Sequence, residues 1–171
     1  MSDELSIKEE SFNQIIKWLK DHNFNFGEKV IDKKLESQTQ FSIEVASRDK
    51  IPFRFNIKFI NEYKDSFVIT AMIGITEEDH KAFNRLKEKE KKQILMDIRK
   101  ILYSLNLNCA IKLPFIMIFK ILTIDSINNN KQFLMDQVYN VLHGEELIQI
   151  RFDELFYTIY PEGKDTGGVN P

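Results

Sequence analysis

Along this chain the spacing of apolar side chains changes period in a definite order. Phe12, Ile15, Ile16 and Leu19 recur every three or four positions, which predicts a helix running to about Asn23. Ser6-Ile7-Lys8-Glu9 spells a capping box and puts the N-cap at Ser6. After Gly27 and a weakly patterned, strand-like stretch at 29–35, the period drops to two. Phe41, Ile43 and Val45 alternate with Gln40, Ser42 and Glu44. Phe53, Phe55, Ile57 and Phe59 alternate with Arg54, Asn56 and Lys58, and Phe67, Ile69, Ala71 and Ile73 with Val68, Thr70, Met72 and Gly74. Each run reads as a strand with one buried and one wetter face. The polar stretches 47–50 and 61–65 suit hairpin loops, so the strands form a meander.

Helical spacing returns at Thr76, an N-cap candidate followed by Glu77, Glu78 and Asp79, acids that suit the positive end of a helix. Phe83 and Leu86 anchor that helix, and Ile94, Leu95, Ile98, Ile101, Leu102 and Leu105 make a second apolar face. Seven residues without an anchor separate the two, which favours a helix pair broken near Lys87. Asn106-Leu107-Asn108 ends the second. The stretch 109–122 is strand-like, and Pro114 within it marks a turn, bulge or edge because it cannot donate to a ladder. A loop and N-cap at 127–130 lead into a last helix carrying Leu134, Val138, Val141, Ile148, Phe152, Leu155 and Ile159. Glu145 fills the one polar gap in that face, and Gly144 beside it costs roughly 1 kcal/mol relative to Ala.

This order predicts an α+β fold: a helix, three or four antiparallel strands, a helix or helix pair, two strands and a C-terminal helix. The sheet should have five or six mostly antiparallel strands, packed by the first and last helices. One domain over residues 1–160 is expected, with a disordered tail at 161–171 where Gly and Pro accumulate without anchors.

Composition narrows the class of protein. A chain of 171 residues hides roughly 70% of its unfolded surface on folding and needs no staples. Lys and Arg total 24 against 26 Asp and Glu, so no global field draws the chain to nucleic acid or an anionic membrane. Cys109 is the only cysteine, which excludes a disulfide within the chain. The first ten residues are acidic and lack the pattern of a signal peptide. The longest apolar stretch, 109–124, is broken by Lys112, Pro114 and Lys120 and is too short to span a bilayer. A reduced, cytoplasmic protein with no membrane partner is the expectation.

Candidate chemistry is sparse. His22, His80 and His143 lie far apart, none with a metal-ligand companion at diagnostic spacing. Glu77, Glu78, Asp79 and His80 are consecutive on a helix, so their side chains diverge and read as a solvated, dipole-favoured first turn. Cys109 opens an apolar strand with no activating base in view and reads as a small buried hydrophobe. Asp125 follows a strand end and reads as a turn former before Ser126. No glycine-rich phosphate loop occurs, and Gly167-Gly168 falls in the tail. No catalytic, metal or cofactor-binding residue is assigned. Lys81, Arg85, Lys89 and Lys92 would line a basic ridge on a continuous helix, able to track a nucleic-acid backbone. The interleaved Glu78, Glu88 and Glu90 favour an exposed, salt-bridged face instead.

The last reading concerns the face of the sheet turned away from the helices. With Phe115, Met117, Phe119 and Ile121 placed toward the helices, Ile116, Ile118 and Leu122 emerge on the outer face, with Lys120 among them. Val68 and Met72 join them, while Gln40, Glu44, Arg54 and Lys58 make the remainder polar. Val68, Met72, Ile116, Ile118 and Leu122 are therefore the candidate partner-binding residues, to be covered by a second copy, another polypeptide or a helix of the chain itself.

The segments 83–92 (FNRLKEKEKK), 94–99 (ILMDIR), 121–126 (ILTIDS) and Phe133-Leu134-Met135 resemble an archaeal family of unknown function. Its architecture is similar to class I type III secretion chaperones and YbjN-like proteins. The resemblance runs from about Leu5 to Ile159 and has no counterpart for the tail. It implies a small, often dimeric protein that binds other polypeptides and does no chemistry, with no catalytic residues to carry over. The functional expectation is a non-catalytic protein-binding, adaptor or chaperone-like module. The rivals are a nucleic-acid-associated protein using the basic ridge and an enzyme whose site the sequence does not flag.

Overall fold

The computed structural model describes residues 2–27, 39–46, 54–60, 65–128 and 130–159. It is the expected α+β architecture. Helix α1 (Ser2–Asp21) leads into β1 (Asn25–Phe26), followed by β2 (Thr39–Ala46), β3 (Arg54–Ile60) and β4 (Ser66–Gly74). The pair α2 (Glu77–Arg85) and α3 (Glu88–Ser104) precedes β5 (Asn108–Lys112) and β6 (Phe115–Thr123). The short α4 (Ile124–Ile127) and the long α5 (Lys131–Ile159) follow. Six strands form one sheet in the order β1-β2-β3-β4-β6-β5, every neighbouring pair antiparallel.

The inward residues of the meander make the core, as their alternation requires. Val45, Phe55, Ile57, Phe59, Phe67 and Ile69 are fully buried. Helix α1 brings Phe12, Ile15 and Leu19 onto them, with the Phe12 ring edge-on to Phe59 at 6.0 Å and Phe59 stacked on Phe67 at 5.3 Å. Helix α5 lies along β4 and β6 with Leu134, Val138, Val141, Ile148 and Phe152 buried beneath it. The two helices are tied at one end by Lys131 Nζ and Asp21 Oδ2, 3.0 Å apart, and this contact holds the Asp21 carboxyl below its ordinary range.

Helix α1 starts at Ser2, so Ser6 lies inside it and is not its N-cap. Thr76 does cap α2: its Oγ1 accepts from the Asp79 backbone N–H. The chain breaks between α2 and α3, where Leu86 and Lys87 are both extended and Glu90 Oε2 accepts from the Lys87 N–H at 2.8 Å. Leu86 is half-buried against the core, which holds the break in place. Both α1 and α3 end in the same way. Asn23 (φ 63°) and Asn106 (φ 54°) adopt left-handed backbone, and the next residues, Phe24 and Leu107, bond back to the carbonyls of Leu19 and Leu102. Phe24 and Leu107 are buried, so each stop is a Schellman motif sealed by an apolar contact. The short α4, which the sequence pattern did not suggest, is capped by Thr123 Oγ1 accepting from Ser126 N–H. The stretch 29–35, Phe53, the loops 47–50 and 61–64 and the tail 161–171 lie outside the described residues.

Candidate functional site

The outer face of the sheet is where the structure departs most from the sequence reading. Ile116 and Ile118 are fully buried and Leu122 is buried with them, on the side facing the helices. Phe115, Met117 and Ile121 point outward and Phe119 is half-buried among them. The phase assigned to this strand is therefore reversed, and Ile116, Ile118 and Leu122 are core rather than outward residues. Pairing with β4 supplies the reason. Residues directly opposite each other share a face, and Ile116, Ile118 and Leu122 lie opposite Ile73, Ala71 and Phe67, all buried. Both faces of β6 are apolar, so its own alternation carries no information about which one is inside.

Lys120 belongs to the inner face as well, opposite Ile69. Its Nζ donates to the Asn106 carbonyl at 2.7 Å, at the α3–β5 turn, and burial pushes its pKa down. A lysine read from sequence as marking a wet face thus reaches from the inner face to a carbonyl at the end of α3.

On the outer face β4 and β6 lie together through the pairs Gly74–Phe115, Met72–Met117, Thr70–Phe119 and Val68–Ile121. Met72 is 65% exposed, Phe115 54%, Ile121 42% and Met117 36%. Val68 and Thr70 share this face but are buried, being on a central strand flanked by larger neighbours. Of the β4 candidates, then, Met72 is presented to solvent and Val68 only forms part of the floor. A Cβ on Gly74 would sit 3.6 Å from the Phe115 ring, so that ring lies over the glycine. Among the described residues the patch carries no charged side chain. Asn108 and Lys112 on β5 border it on one side, and Asn56 and Lys58 on β3 on the other. Arg54 and Glu44, paired at 3.4 Å, lie further out.

The clue for this phase was present in the hairpin. Two residues, Leu113 and Pro114, join β5 to β6, and Lys112 pairs with Phe115. Asn108 and Lys112, polar and exposed, therefore fix their neighbours Phe119 and Phe115 on the same outer face.

The remaining candidates are dispersed. His22 follows α1, His80 sits on α2, and His143 on α5 faces Glu146 at 3.4 Å. Among the described residues no three His, Cys, Asp or Glu gather as a metal site. Glu77 pairs with Lys81 at 2.6 Å, which lowers the Glu77 pKa and raises that of Lys81, while Asp79 turns inward and accepts from the Thr76 hydroxyl at 2.6 Å. Lys81 and Arg85 are on α2 and Lys89 and Lys92 on α3, so the break interrupts the basic ridge. Cys109 is half-buried, and burial pushes its thiol pKa up against a smaller opposing effect of Arg99. Asp125 lines an open groove of about 480 Å³ between α1 and α4 with Glu10, Gln14 and Trp18. A second hollow of about 220 Å³ lies between the end of β4, Thr76, Asp79 and α5. Glu145 lines neither. It is buried in the core face of α5 with its Oε2 unbonded, and desolvation lifts its pKa to about 7.

Fold and surface together define a two-layer α+β protein with helices on one side of an antiparallel sheet and an apolar patch on the other. The chain belongs to the DUF2299 family of uncharacterized conserved proteins, whose pattern matches residues 12–152. It is also similar in fold to the crystal structure of an uncharacterized protein from Methanothermobacter thermautotrophicus. That likeness has a TM-score of 0.72 at 16% identity and covers 85% of this chain and 99% of the other. No functionally curated protein matches the chain. Among the described residues no helix is long and apolar enough to cross a membrane.

Proposed function

We propose that this protein is a non-catalytic polypeptide-binding module, of adaptor or chaperone-like type, that docks through the outer face of its sheet. The observation that carries this reading is the uncharged cluster of Met72, Phe115, Met117 and Ile121, held on rigid paired strands. Exposed apolar patches of this extent mark contact surfaces, and methionines let such a surface adapt to a partner. A non-catalytic role draws support from the raised pKa of the Cys109 thiol and from Glu145, which lines neither hollow. The nucleic-acid reading is weakened by the break at Leu86–Lys87 and by the Lys81–Glu77 pair.

A photo-crosslinking phenylalanine analogue placed at position 117 tests the proposal in the native cell. Adducts with a polypeptide should form from that position and not from position 139, an exposed site on α5. Equal yields from the two positions, or none from 117, would refute it.

A further inference from the structure

We infer that Glu145 makes the C-terminal half of α5 a proton-controlled flap: when the carboxyl loses its proton it is drawn out to water, and residues 146–159 swing off α2 and α3 about Gly144. Three observations carry the inference, none of them on the outer face of the sheet.

The first is an acid buried with nothing to hold its charge. Glu145 is 7% exposed, and its Oε2 has no hydrogen-bond partner. Beneath α5 the inner faces of the two central strands are apolar, with Ala71 and Ile73 on β4 and Ile116 and Ile118 on β6. The charged groups turned toward α5 are bonded elsewhere. Asp79 on α2 accepts from the Thr76 hydroxyl, Asp97 on α3 pairs with Arg151 at 3.4 Å, and Lys120 on β6 donates to the Asn106 carbonyl. On α5 itself His143 faces Glu146. Burial without a neighbouring charge lifts the Glu145 pKa to about 7. An ionised carboxylate is strongly disfavoured at such a site, so either the proton stays or the site opens.

The second is a joint. Gly144 lies near the middle of the 29 residues of α5, and glycine supports a helix less than any residue but proline. The two halves are held by different parts of the fold. Residues 131–143 bury Leu134, Met135, Val138 and Val141 fully, with Lys131 bonded to Asp21 and Tyr139 6.3 Å from the Phe24 ring. The second half rests on α2 and α3 through Phe152, 6.5 Å from the Phe83 ring, and through the Arg151–Asp97 pair.

The third is the hollow of about 220 Å³ beneath that second half. Gln149, Phe152 and Asp153 of α5 border it, with Ile73, Thr76 and Asp79 opposite. The second half is thus less closely packed and less firmly tied than the first, and it is the half that lifts. With the flap down the carboxyl keeps its proton to about pH 7, and with it up, in water, it ionises near the ordinary 4.5. The open form therefore gains on the closed one by about tenfold between pH 6 and pH 8. Opening uncovers Ile148, Phe152 and Phe83, so proton release is converted into apolar surface on the helical side.

The test is hydrogen exchange of the full chain at pH 6 and pH 8, corrected for the intrinsic pH dependence of amide exchange, in wild type, Glu145→Gln and Glu145→Met. The Met variant leaves no donor unmet and serves if the Gln variant fails to fold. In wild type, residues 146–155 should be less protected than 131–143 at both pH values, and their protection should fall by about tenfold at pH 8. The variants should show no such fall. Equal protection in the two halves, falling together, would mean that Glu145 ionises only when the whole molecule unfolds, and overturns the inference. Wild-type protection indifferent to pH overturns it too, as does a fall that survives in the variants, which would assign it to His80 or His143.

Discussion

Glu145 enters the core with no donor for its Oε2, and its pKa of about 7 is a statement about stability. The sign follows from the two states. In the unfolded chain this carboxyl ionises near its ordinary 4.5, whereas in the folded protein it stays neutral until about pH 7. Between those values the unfolded state alone sheds the proton, so the folded state loses stability as pH rises, and the loss is complete above 7. The full penalty is roughly 3 kcal/mol at 1.36 kcal/mol per pKa unit, and residual solvent contact brings the expectation to about 2 kcal/mol. Urea midpoints of wild type should therefore fall from pH 5 to pH 8 by more than those of Glu145→Gln. Parallel pH profiles for the two proteins would exclude the assignment. In the same core Phe55 and Ile69 are fully buried, and truncating either to Ala should cost about 2–5 kcal/mol. Unchanged urea midpoints in both variants would contradict the observed strand phase.

At the level of elements, stops and close approaches matter more than propensity. Asn106 ends α3 in left-handed backbone, and its carbonyl also receives Lys120. A side chain without local hydrogen bonding loses about 1–2 kcal/mol there, so Asn106→Val should lower the urea midpoint, while Asn106→Gly should leave it near wild type. Equal midpoints for the two variants would remove the backbone explanation. Gly144 poses the opposite question, a glycine in the middle of the longest helix. A Cβ there would lie 2.8 Å from Leu107 Cδ1 and 3.2 Å from Leu102 Cδ2, so α5 passes close to the end of α3 and these two buried leucine side chains would have to shift. Gly144→Ala recovers about 1 kcal/mol of helix propensity but overpacks a buried contact at about 1–3 kcal/mol. Thermal melts should show a net loss of about 1 kcal/mol, and a raised melting temperature would mean that Leu107 yields freely.

Across the whole molecule, charge and apolar surface are segregated. The helical side carries pairs such as Lys81–Glu77, Lys91–Glu88 and Arg151–Glu154, while among the described residues the centre of the outer sheet face carries none. The basic residues of α2 and α3 are divided by a helix break, and Lys81 is paired with Glu77, so they should not act as a phosphate-binding track. Neutralising Lys81, Arg85 and Lys89 together should leave any residual DNA or RNA affinity, and its salt dependence, unchanged in a fluorescence titration. An affinity that falls steeply with salt and is lost in the triple variant would revive the nucleic-acid reading.

Much of this was legible in one dimension because local periodicity reports burial when only one face of an element is apolar. The meander β2–β4 alternates apolar with polar residues, and Ile43, Val45, Phe55, Ile57, Phe59, Phe67 and Ile69 are buried as that alternation requires. The break at Lys87 followed from the missing anchors, and the N-cap at Thr76 from its chemistry. Strand β6 is apolar on both faces and therefore ambiguous by itself, and the candidate surface depended on it. Its phase was set by non-local facts: the pairing with β4, the two-residue turn to β5, and α5 covering one side of the sheet. Lys120 misled for the same reason, since a lysine marks a wet face only if no carbonyl lies within reach, and Asn106 is 14 residues away in sequence. Sequence alone determined the alternating strands β2 to β4, the α2–α3 break and the long last helix, but neither α4 nor the start of α1. Only the tertiary structure decided which side of β6 is solvent, because that choice rests on which neighbours bury the other side.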